Sequence, residues 1–115
     1  MEMPKPSEAD KQRFRDLVPE HPNVEIKPMF GNLGGFVNGN MFMGLFGPSI
    51  GLKLSGPDAD ALLAHDGAGP FGPSERPMGG YVAIPNDWGE PQAAEWVNRA
   101  LVHVSGLPPK KPKGR

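Results

Sequence analysis

The sequence predicts an α+β fold in which helices pack on an antiparallel sheet. Three observations carry that reading. Between positions 24 and 54, apolar residues recur with the two-residue period of strands, around an Asn38-Gly39 dipeptide suited to a tight hairpin turn. Near both ends, and once in the middle, they recur with a helical period. The 16 glycines and 15 prolines are enough to raise the question of disorder in 115 residues, yet they read as turn punctuation between those segments.

Each element has its own justification. Ser7 is placed to cap a first helix, with Glu8 and Asp10 at the positive end of its dipole. Phe14, Leu17 and Val18 give it a narrow apolar stripe, and Pro19 and Pro22 stop it. Val24-Glu25-Ile26-Lys27 alternates as a half-buried strand does. A type I′ turn at Asn38-Gly39 sets Val37 against Asn40, Phe36 against Met41, Gly35 against Phe42 and Gly34 against Met43. One hairpin face then carries Phe36, Met41, Met43 and Leu45; the other carries Leu33, Val37, Phe42 and Phe46. After Gly47-Pro48-Ser49 a further strand presents Ile50, Leu52 and Leu54 on one side. Pro57, Asp58 and Asp60 open a short helix packed through Ala61, Leu62 and Ala64. A Gly/Pro-rich loop from 67 to 77 leads to a strand at Tyr81-Val82-Ala83-Ile84, ended by Pro85. Pro91 starts the last helix, whose inner side is Ala93, Trp96, Val97, Ala100, Leu101 and Val104; Gly106, Pro108 and Pro109 end it. The expected organisation is a flexible 1–6, one domain over 7–107 and a disordered basic tail over 108–115.

Composition excludes several function classes. Net charge is −1 and the pI about 6.3, so the chain as a whole carries no basic field for nucleic acid or anionic membrane. With no cysteine, disulfides, thiolate nucleophiles and Cys-based metal sites are absent. No apolar run is long enough to span a bilayer, and the start lacks the apolar core of a signal peptide, so the expected compartment is the cytoplasm.

Met29-Phe30-Gly31, the hairpin through Met41-Phe42, Leu52-Lys53-Leu54, Gly69-Pro70-Phe71, Pro77-Met78 through Tyr81-Val82, and a closing helix with Trp96 and Ala100-Leu101 occur in a fixed order. In that order and spacing the chain resembles the TfoX N-terminal domain family, from Phe14 to Pro109. The resemblance implies the order α-β-β-β-α-β-β-α, a sheet of about five strands, with the loop around Phe71 supplying one of them. It also implies regulation rather than catalysis: longer relatives resemble bacterial competence regulators, which join this domain to a second, helical one. This chain is expected to be the N-terminal domain alone, which separates it from a promoter role.

Candidate chemistry is sparse. His21, His65 and His103 fall in three different segments and read as surface histidines, so no metal is expected. Serines 7, 49, 55, 74 and 105 sit where caps or turns want them, and none lies in a nucleophile elbow. Asp58 and Asp60 have a simpler role at a helix start. No catalytic residue and no cofactor is therefore assigned. Phosphate cradles of the Walker or Gly-x-Gly-x-x-Gly kind do not occur.

The feature that resists a purely structural role is the two-faced hairpin. With helices on one side, Leu33, Val37, Phe42 and Phe46 form an apolar patch, the expected partner-binding surface; a homodimer is its simplest use. Met29 and Phe30, with Arg76 and Met78, are candidate recognition loops at two loop-to-strand junctions. The expectation is a non-enzymatic regulatory or protein-interaction module. The alternatives are a small-molecule binder or enzyme with a pocket, and a nucleic-acid binder acting through the basic tail, for which the phenylalanines have few neighbouring cations.

Overall fold

Capping chemistry sets the helix ends. The Ser7 hydroxyl accepts from the Asp10 amide at 3.0 Å while the Asp10 carboxylate accepts from the Ser7 amide at 2.9 Å, a reciprocal capping box that opens α1, Glu8–Leu17. Ser55 caps α2, Gly56–Leu63, with Pro57 in its first turn, and Gly89 precedes α3, Glu90–Ser105. The strands are β1 Val24–Met29, β2 Asn32–Val37, β3 Asn40–Phe46, β4 Ser49–Lys53, β5 Gly69–Pro70 and β6 Tyr81–Ala83. These elements belong to a computed structural model that describes residues 5–29, 32–72 and 80–108.

The strands form one antiparallel sheet in the order β1-β2-β3-β4-β6-β5. The α+β architecture expected from the sequence is the one that forms. The sheet has six strands because four precede α2 and Gly69–Pro70 pairs with β6 just before Phe71. Helix α3 lies across β2, β3 and β4, α1 packs on α3, and α2 meets β6. One core fills the space between: Phe14 and Leu17 from α1, Leu62 from α2, Trp96, Val97, Ala100 and Val104 from α3, and Ile50, Leu52 and Val82 from the sheet.

The hairpin turn is type I′, with Asn38 at φ 53° and Gly39 at φ 83°. Its first two pairs are those predicted, Val37↔Asn40 and Phe36↔Met41. The next pair is Gly35↔Met43 rather than Gly35↔Phe42, so Phe42 is the extra residue of a β-bulge. From there Gly34 faces Gly44 and Leu33 faces Leu45.

This corrects the predicted faces. Phe42 and Met43 both turn toward the helices and are fully buried, alongside Val37 and Leu45, with Leu33 packed against them. Phe36, Met41 and Phe46 point the other way. The physical reason lies in Gly35. A Cβ there would stand 2.9 Å from Met43 Cγ and 3.5 Å from Phe42 Cε1, so the bare backbone makes room for two large side chains. Substitution of Phe42 by alanine should therefore cost about 3–5 kcal/mol in urea denaturation. Phe36→Ala should cost well under half of that.

Candidate functional site

With the helices of the described residues on one side, the opposite face of the sheet carries Phe36, Met41, Phe46, Tyr81 and two lysines. The strand register aligns Gly34, Gly44, Gly51 and Ala83 directly across β2, β3, β4 and β6. Four neighbouring positions thus carry at most a methyl group, which leaves a shallow lane across the strands. One rim is built by Phe36, Met41, Lys53 and Tyr81; on the other side stands Phe46.

Phe71, immediately after β5, lays its ring in this lane. A Cβ on Gly51 would lie 2.2 Å from Phe71 Cγ, and one on Gly44 would lie 3.4 Å from the ring. The ring meets Phe46 edge-on at 6.3 Å between centroids and Tyr81 at 6.2 Å. Tyr81 is locked in turn, its hydroxyl donating to the Met41 carbonyl at 3.0 Å. Burial pushes its pKa above the ordinary value.

Two lysines stand over rings on this face. Lys27 Nζ lies 5.2 Å from the Phe36 centroid and Lys53 Nζ lies 5.8 Å from that of Tyr81. Lys27 also lies 3.7 Å from the Glu25 carboxylate, with both side chains exposed to solvent. At the hairpin tip, Asn40 Nδ2 donates to the Pro108 carbonyl at 3.0 Å.

A second convergence of polar groups lies on the helical side. Arg99 reaches Asp58 at 3.2 Å and Glu95 at 3.0 Å while its guanidinium lies 4.4 Å from the Trp96 ring. His65 meets Trp88 and Trp96 edge-on. Here Arg99 is committed to two carboxylates and a ring, an arrangement that ties α2 to α3. Ser55, at its edge, accepts from the Asp58 amide as a helix cap.

The predicted patch residues separate accordingly. Val37 and Phe42 have no exposed surface to offer a partner, Leu33 packs on the core, and Phe46 lies on the helix-free face. Met29 closes β1, paired with Asn32. Phe30, Arg76 and Met78 lie outside the described residues. The lane itself was not foreseen, because glycines at 34, 44 and 51 align only once the bulge has shifted the register.

The sequence model of the TfoX N-terminal domain family matches residues 16–104. The chain belongs to this family. Neither a curated protein nor a solved structure matches it significantly. Among the described residues no helix is long and apolar enough to cross a membrane. What the TfoX N-terminal domain supplies here is a sheet with one face sealed by helices and the other dressed with aromatic, methionine and lysine side chains.

Two outcomes follow from the lane. A Gly→Ala change in unstrained backbone usually stabilises a fold slightly. Gly51→Ala should instead destabilise this one by about 1–3 kcal/mol through overpacking. Most of that loss should vanish in a Phe71→Ala background, read from a double-mutant cycle in urea.

Tyr81 is the chain's single tyrosine, so its ionisation can be followed by tyrosinate absorbance. In the unfolded chain it ionises near pH 10. The native pKa is raised, so this contribution is whole below about pH 10 and is lost as pH climbs past it through the raised native pKa. Tyr81→Phe should remove this part of the alkaline decline in urea melts at stepped pH.

Proposed function

We propose that this chain is a non-enzymatic regulatory module that acts by binding another protein through the helix-free face of its sheet. One observation carries the reading: Phe36, Met41 and Phe46 point away from the core and stay only partly covered, on a face whose outline is fixed by Phe71. Side chains that contribute little to the core and line a flat sheet suit a protein surface.

The serines and charged groups support the same reading. Ser7 and Ser55 spend their hydroxyls on helix caps, and Arg99 is held by Asp58 and Glu95. Binding by strand addition at β1 is disfavoured by its chemistry. Asn23 accepts from the Asn38 amide, so the antiparallel alternation turns the backbone of Val24, Ile26 and Pro28 outward. The Val24 amide already donates to His21, and proline has no N–H.

A photoreactive benzoyl-phenylalanine replacing Phe36 should give covalent protein adducts in cells on irradiation, while the same group replacing Asp60 on α2 should not. Equal labelling from both positions, or none from position 36, would overturn the reading. Light scattering on the native chain then separates a second copy from a different partner.

A further inference from the structure

The sequence sets the net charge near zero, but the fold separates the charges. Helices α1, α2 and α3 carry seven carboxylates against four cations, whereas the strands carry two lysines and one glutamate. Both lysines, Lys27 and Lys53, stand on the helix-free face, each above an aromatic ring. Among the described residues, the face offered to a partner thus carries two lysines against one glutamate, while the helices carry the excess of carboxylates.

We propose that this face takes an acidic protein segment bearing aliphatic anchors, an assignment that rests on the association reading above. The apolar side chains of the segment lie on Met41 and against the edge of Phe36, leaving Lys27 over that ring, and its carboxylates meet Lys27 and Lys53. Glu25, 3.7 Å from Lys27, holds the place of one incoming carboxylate in the free protein. Its displacement leaves Lys27 neutralised by the partner instead.

Two other occupants fit less well. A second copy packed face to face would set two lysines and one glutamate against the same set, a net like charge that opposes association. A single nucleic-acid strand needs free ring faces on which bases stack. Here an ammonium group already stands over Phe36 and another over Tyr81, whose hydroxyl is tied to Met41. Carboxylates pair with those ammonium groups without moving them.

Fluorescence anisotropy of a labelled peptide alternating glutamate and leucine, about twelve residues long, tests this on the full chain. The probe should bind the native protein and weaken as salt rises. Lys27→Gln with Lys53→Gln should weaken it about tenfold or more. Glu25→Gln should tighten it, a sign that a merely structural role for Glu25 would not give. Circular dichroism and a urea melt establish that each variant is folded.

Absence of peptide binding would overturn the proposal, as would equal binding of a glutamine-for-glutamate peptide. Tighter binding of an oligothymidylate of the same length would assign the face to nucleic acid and also overturn it. So would a native dimer that the peptide fails to dissociate. Adducts from position 36 that survive the lysine substitutions would keep the association reading and remove only its acidic partner.

Discussion

The fold turns on the contact between the bare backbone of Gly35 and the two side chains of Phe42 and Met43 that lie over it. An antiparallel pair without a bulge alternates its side chains strictly, so only one of two successive residues can enter the core. The bulge at Phe42 breaks that alternation once, and every later residue of β3 changes face with it. Leu45, Ile50 and Leu52 then meet α3, while Gly44 and Gly51 come to lie beside each other on the far side. A one-residue irregularity in one strand thus decides the composition of both faces.

The far side is closed by the same economy of volume. Three glycines in neighbouring strands leave a lane, and Phe71 fills its middle, meeting Phe46 and Tyr81 as it does so. The short strand β5 and the segment that carries Phe71 are held down by a ring on backbone rather than by an extended ladder. The lane therefore links local sequence, the absence of Cβ atoms, to the shape of the surface through which the protein is proposed to act. Tyr81 and Lys53, from β6 and β4, complete that surface along the same rim of the lane as Phe36 and Met41.

Much of the fold was legible beforehand, for reasons that can be named. Ser7 with Asp10, Ser55 with Pro57, and the Asn38-Gly39 turn are local devices whose geometry depends on residues no more than a few positions apart. Helical periodicity identified the buried side of α3 because a core-facing helix repeats its demand every turn. The patch Leu33, Val37, Phe42 and Phe46 was a different matter. Leu33, Val37 and Phe42 do share a face as expected, but it is the face that the helices cover, and the bulge moves Phe46 to the other. The third strand pair was the point of failure, since nothing in Gly35-Phe42 viewed as a pair signals that Met43 competes for the same partner.

The sequence by itself determined the α+β class, the three helices, most of the strands, the TfoX N-terminal domain family and the lack of thiol chemistry, because these rest on local propensity, pattern and composition. Only the tertiary structure decided which aromatic rings are core and which are surface, since that depends on register between strands. It also decided where the charges go. A net charge near zero is a sum, and a sum carries no direction; packing helices with seven carboxylates and four cations on one side of a lysine-bearing sheet gives it one.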